Sequence, residues 1–238
     1  MGIKIKNFFS AKEAACQAGQ DLSKKLNSVK KTGRNSLLLL SGGSAFGILD
    51  YIEANALGNY LTICLLDERY DSGNQNNNFI QLTKTDFYRL AKKNCCHFIN
   101  TSAKRGQTQK QLANYFEREL KNWKRNNKKS SIFATIGMGA DGHIAGIMPL
   151  PENDRLFKKL FCGRNWIASY DAKDKNPYRF RITTTIAFLK LIDRAFGFIC
   201  DKEKTANFNK ITSPGKISEL PCRALKKIKN LKIYTDIK

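Results

Sequence analysis

The chain has 238 residues, 42 % of them hydrophobic and 11 % aromatic, and its 42 Lys and Arg against 20 Asp and Glu give a formal charge of +22. Such a length and composition exclude wholesale disorder and predict one folded domain over 1–238. No apolar run approaches the roughly 20 residues of a membrane span, and the N-terminal stretch lacks a signal peptide's apolar block, so a cytoplasmic protein with no membrane partner is expected.

Residues 11–30 carry apolar side chains at helical spacing behind Ser10, a good N-cap. SLLLL (36–40) reads as a fully buried strand, ends in Ser41-Gly42-Gly43-Ser44, and AFGILDYIEANAL continues as a helix. YLTICLLDER is a second buried strand running into Asp67, Glu68 and Arg69. NNNFIQLTKTDFYRLAKK is a loop leading into a short helix, HFIN a weak strand, and QTQKQLANYFERELKNWKR an amphipathic helix. SIFATIGMG is a third buried strand, followed by a glycine-rich stretch that reaches Pro149. NWIASYDA and RFRITTT read as extended segments, IAFLKLID as a helix, AFGFICD as a strand and EKTANFNKI as a helix. ISELPCRALKKI is helical from Pro221, a residue tolerated in a first turn, and LKIYTD is the last strand.

Buried strands alternating with helices indicate an α/β sheet covered on both faces. In such sheets ligands bind at the carboxyl ends of the strands. Three polar clusters follow predicted strands: SGGS, DER and GADGH.

Ser41-Gly42-Gly43-Ser44 suits one phosphate group, because glycines let the backbone approach an anion and a helix start offers free N–H groups. It is neither a Walker A loop nor a GxGxxG fingerprint, and a tight turn with Ser44 as helix cap is the plain alternative. Arg69 could hold a phosphate or carboxylate through two parallel hydrogen bonds, and Asp67 could orient a hydroxyl or another side chain. Alternatively, Glu68 and Arg69 form a local surface pair. His143 can take up a proton near neutral pH, and Asp141, two residues earlier, can fix its tautomer. Arg179 and Arg181 share one face of a strand, so one of them could reach an anion pocket, and Lys202 and Lys204 open a helix.

The seven cysteines form no C-x-x-C pair, which speaks against a zinc ribbon or a thioredoxin motif and for reduced structural thiols. Two histidines without clustered carboxylates give no metal site. The lysines are spread along the chain, without a zinc finger, an RNP motif or a basic zipper, so no nucleic-acid partner is expected.

These pieces in this order resemble the 6-phosphogluconolactonase family, within the glucosamine-6-phosphate isomerase/6-phosphogluconolactonase superfamily. The shared segments are Ser41–Ser44, Asp67–Arg69, Gly137–Pro149, Arg181–Thr185, Lys204 and Pro221–Leu225. The resemblance implies a three-layer α/β/α sandwich with a mostly parallel, Rossmann-like sheet. It also implies hydrolysis of 6-phospho-D-glucono-1,5-lactone to 6-phosphogluconate in the oxidative pentose phosphate pathway, without metal or organic cofactor, by a monomer or weak homodimer. Ser41, Gly42, Gly43, Ser44, Arg181 and Lys204 would bind the phosphate. His143 would act as general base, with Asp141, Asp67 and Arg69 around it. The deaminase branch is the nearest alternative, and a non-catalytic sugar-phosphate binder is another. The deaminase pattern places a glutamate where this chain has Met148, and a tyrosine where it has Arg69. The segment also carries Ala45-Phe46 where the lactonase pattern has Thr-Pro, and Ile144 and Gly146 where that pattern carries hydroxyls.

Overall fold

Ser36–Leu40, five buried residues in a row, form β2 near the centre of the sheet. Leu37 and Leu39 pack into one core cluster and Leu38 and Leu40 into the other, because successive strand side chains point to opposite faces. A strand buried on both faces must be apolar throughout, which explains the unbroken leucine run.

A computed structural model describes residues 2–73, 75–173 and 177–238. Around β2 lie β1 (Ile3–Asn7), β3 (Leu61–Leu65), β5 (His97–Phe98), β6 (Ser131–Ile136), β9 (Arg194–Phe198) and β10 (Leu231–Thr235). They form one seven-stranded parallel sheet in the order β1-β10-β9-β6-β2-β3-β5. Helix α1 (Ala11–Lys30) is capped by Ser10 and buries Leu22 and Leu26 in the cluster on one face. Helix α4 (Gln109–Asn126) starts in a capping box at Thr108 and buries Leu112, Phe116 and Leu120 on the other. The result is the expected three-layer α/β/α arrangement. No helix of the described residues is long and apolar enough to cross a membrane.

The remaining elements are α2 (Asn78–Thr83), α3 (Asp86–Lys93), α5 (Asp154–Phe161), α6 (Ile186–Leu189) and α7 (Thr205–Phe208). The seven cysteines are all free thiols, with Cys64, Cys96, Cys200 and Cys222 buried.

Three sequence expectations need correction. First, AFGILDYIEANAL is not an α-helix: Gly43–Tyr51 is a 3-10 helix, followed by a second short one over Ala54–Ala56. Gly47 and the β-branched Ile48 are poor α-helix formers, and packing against α1 settles the tighter winding. Second, DER does not continue β3. Leu66 marks a change of sheet: its N–H donates to Leu40 O at 2.9 Å, and its carbonyl accepts from Thr184 N at 2.9 Å. Asp67–Arg69 then forms β4, paired antiparallel with β8 (Phe180–Thr184), which pairs with β7 (Ile167–Asp171) in a separate three-stranded sheet. Third, EKTANFNKI is helical only for the single α-turn of α7 behind a 3-10 turn over Lys202–Lys204, and the Pro221 segment is a 3-10 helix over Pro221–Lys227.

Candidate active site

The neighbours β2 and β6 end side by side, and the chain leaving each enters the same cleft. Ser41 N–H donates to Thr135 O at 3.2 Å, which fixes the start of the SGGS turn against β6. Ser41, Gly42, Gly43 and Ser44 all line the cleft, an open depression of about 190 Å³. The following element is a 3-10 helix rather than the expected α-helix, and the turn stands at its start. The turn supplies hydroxyls and backbone N–H groups.

The opposite wall is the glycine-rich loop after β6. His143 Nδ1 lies 2.6 Å from Asp141 Oδ1, and the same oxygen accepts the His143 backbone N–H at 3.1 Å. With Nδ1 engaged by the carboxylate, Nε2 is the ring nitrogen left without a partner among the described residues. Burial works to raise the Asp141 carboxyl, but the hydrogen bonds and charge of His143 outweigh it, so the group titrates below its ordinary value. A Cβ on Gly139 would stand 2.2 Å from His143 Cε1 and Nδ1, so only glycine lets the ring lie flat on this backbone. Gly146 has φ +71°, and a Cβ there would sit 2.8 Å from Asp67 Cβ. The small sheet clamps the same loop: Tyr170 OH donates to Gly146 O at 2.6 Å, and Thr183 Oγ1 donates to Ala145 O.

DER contributes three different environments. Asp67 and Arg181 form an ion pair at 2.7 Å, with side chains only 6 % and 5 % exposed. Glu68 is fully buried and is no surface partner of the Arg69 side chain. Its carboxylate accepts from Phe79 N at 3.0 Å, Thr101 Oγ1 at 2.8 Å, Arg69 N at 3.0 Å, and from Asn78 N. Burial pushes the Glu68 carboxyl up to about 8, against the pull of those four donors. Arg69 stacks its guanidinium on the Tyr178 ring, 4.2 Å from the centroid.

Arg69 and Arg181 are direct cross-strand partners in the β4–β8 ladder, and both reach the cleft. Arg179 does not: it pairs with Asp171 at 2.6 Å. Lys204, at the end of the turn that follows β9, also lines the cleft and is only 7 % exposed. It takes part in no ion pair or side-chain hydrogen bond among the described residues, whereas Lys202 is exposed and does not line the cleft. The cleft lining therefore carries three fixed cations, Arg69, Arg181 and Lys204, against one carboxylate, Asp67. The excess of two positive charges matches a phosphate monoester, which carries about −1.5 to −2 at neutral pH.

A family model described as glucosamine-6-phosphate isomerases/6-phosphogluconolactonase matches residues 10–234. The chain belongs to that family. Solved structures agree on the fold. A 6-phosphogluconolactonase from Thermotoga maritima superposes with a TM-score of 0.74 at 19 % identity, covering 98 % of this chain and 99 % of that one. One from Shewanella baltica OS155 gives 0.74 at 15 % identity over 98 % and 97 %. One from Trypanosoma brucei gives 0.74 at 13 % identity over 98 % and 96 %. No curated protein matches the sequence.

Ser41–Ser44, Asp67, Arg69, Arg181, Lys204 and the loop after β6 converge on the cleft, Pro221–Leu225 does not line it, and Asn78 joins them without having been singled out. Asn78 is 1 % exposed, lines the cleft and donates to Asp67 O at 3.1 Å. Its only sequence signal is its place at the end of NNN, just before an apolar helix. Tyr170 and Tyr178 carry no local signal, because each acts on a residue more than 20 positions away, while Thr183, inside the Arg181–Thr185 segment, acts on Ala145 38 positions back. The two departures at Ile144 and Gly146 have different meanings. Ile144 is fully buried in the core and lies outside the cleft, whereas Gly146 is dictated by its contact with Asp67.

Proposed function

We propose that this chain hydrolyses 6-phospho-D-glucono-1,5-lactone to 6-phospho-D-gluconate. The observation that carries the proposal is the His143–Asp141 pair at 2.6 Å, facing a cleft that holds two more positive than negative charges. A base at one end and an anion cradle at the other fit a small substrate with one phosphate and one reactive carbonyl.

The phosphate lies against the Ser41–Ser44 turn, with Lys204 and Arg181 as counter-charges. Lys204 is the stronger attractor, since Arg181 already shares its charge with Asp67. Anchoring the far end lets binding energy orient the lactone carbonyl. His143 Nε2 removes a proton from water as the water oxygen bonds to C1. Asp141 holds the ring and stabilises the imidazolium that forms. Arg69 or loop N–H groups stabilise the oxyanion. When the tetrahedral species collapses, the C1–ring oxygen bond breaks and the imidazolium returns its proton to that oxygen. No step asks for a metal or organic cofactor.

Met148 separates this reading from the deaminase alternative. It is fully buried, and a thioether neither donates nor accepts a proton in place of a glutamate. Asp67 is tied to Arg181, which leaves it poorly placed as a free base. The test is blank-subtracted lactone turnover, run beside ammonia release from glucosamine 6-phosphate and thermal shifts with 6-phosphogluconate. Enzymatic lactone hydrolysis without ammonia release is the expected result. A thermal shift without turnover would leave a sugar-phosphate binder and overturn the catalytic reading.

A further inference from the structure

The cleft uses three of the chain's cations and leaves most of a net charge of +22 unexplained. In sequence the basic residues are scattered, but a parallel sheet sorts its loops by pole. Every segment that leads into a strand of the seven-stranded sheet ends at its amino pole, opposite the cleft. The register pairs Ser36 with Ser131 and Ala134 with Ala195, so the segments entering β2, β6 and β9 stand next to one another.

Between the first two of these lies a groove of about 440 Å³. Arg34 lines one wall and Arg125, Lys128 and Lys129 the other, and no acidic residue lines it. All four cations are exposed, and none belongs to an ion pair among the described residues. The walls are tied together in advance. Asn35 Nδ2 donates to Asn127 Oδ1 at 2.6 Å, Ser131 N donates to Asn35 O at 3.3 Å, and Ser130 N donates to Asn127 O at 3.1 Å. Arg194, at the start of β9, is exposed and continues the row, and Lys229, before β10, extends it as the ion-pair partner of Asp193 at 2.7 Å. Since β2, β6, β9 and β10 are successive in the sheet, the row runs about 14 Å at about 4.8 Å per strand.

We propose that this amino pole is a second, non-catalytic surface that binds the phosphate backbone of duplex nucleic acid without reading its sequence. Unpaired cations and amide donors on a preformed groove are the chemistry of phosphate contacts. Single strands are held by exposed aromatic platforms, and the groove-lining residues include none. Apolar anchors strengthen binding to a bilayer, and the exposed large hydrophobics, Ile5, Phe9, Leu156 and Phe180, lie outside this row. The proposal is independent of the lactonase reading.

The test is anisotropy with a labelled 20-base-pair duplex of arbitrary sequence, across a salt series. Four phosphate contacts give a slope near −3.6 in log K against log salt, so affinity is expected to fall ~100-fold between 50 and 200 mM. R34E/K128E/K129E is expected to weaken binding at least tenfold, and R34Q/K128Q/K129Q to weaken it less. K12E/K24E/K84E, an equal charge change on other surfaces, is expected to have under a threefold effect, with all variants checked for folding by thermal melting. Equal losses from both reversal variants would reduce the effect to net charge and overturn the proposal. So would undetectable duplex binding, or equally tight binding to the single strand or to phosphatidylserine vesicles.

Discussion

Arg181 donates to Asp67 at 2.7 Å across 114 positions of sequence, and both side chains are almost completely buried. This pair joins β8 to β4 within the cleft lining. Removing one member leaves the other charge buried and unmatched, which typically costs 3–5 kcal/mol. Asp67→Ala is therefore expected to lower stability by about that amount, measured by urea denaturation. Asp67→Ala with Arg181→Met should recover part of the loss. An unchanged denaturation midpoint in the single variant would show that the pair is dispensable.

His143→Ala is expected to reduce lactone turnover by about 10²- to 10⁴-fold while the fold survives. Asp141→Asn should reduce kcat as well, because an amide stabilises the imidazolium less than a carboxylate does. Equal turnover in a folded His143→Ala protein would remove the histidine from the mechanism.

Lys204 is a nearly buried cation without an ion-pair or side-chain hydrogen-bond partner among the described residues. Lys204→Met removes the desolvation burden of that charge, so Tm should hold or rise. The same change should raise KM for a phosphorylated lactone about 10- to 100-fold, the worth of about 1.4–2.8 kcal/mol for charged hydrogen bonds. KM for an unphosphorylated lactone should barely move. Parallel effects on both substrates would argue against a phosphate contact.

Gly139→Ala tests the seat of the imidazole. The added Cβ would meet the ring at 2.2 Å, so His143 must turn away from Asp141. A displacement of about 1 Å costs about 10²-fold in rate, and kcat should fall accordingly with Tm little changed. Full kcat in the variant would show that the ring's position is uncritical.

Glu68 gives a pH signature. Its folded-state pKa, about 8, lies above the ordinary 4.5, so the folded protein holds the proton more tightly than the unfolded chain. The resulting stabilisation is complete below about pH 4.5 and is lost progressively as pH rises through about 8. Glu68→Gln does not titrate. The Tm difference between wild type and Glu68→Gln should therefore shift against the wild type from pH 5 to pH 8. A constant difference would show that Glu68 keeps its proton affinity on folding.

Much of this molecule is determined by local sequence. The leucine run of β2 fits a strand covered on both faces, because it turns no polar residue toward water. Ser41–Ser44, Asp67–Arg69 and the Asp141–His143 loop are legible because each packs its chemistry into a few adjacent residues. Tertiary structure alone decided the rest. Whether Arg179 or Arg181 faces the cleft depends on the β4–β8 register, and the end of β3 depends on where the chain finds a second sheet. Asn78, Tyr170 and Thr183 serve the site through partners far along the chain, and spacing cannot encode such contacts. The charge behaves in the same way. Its amount is written in the composition, but the groove of Arg34, Arg125, Lys128 and Lys129 arises because parallel strands bring the segments entering β2 and β6 to the same end.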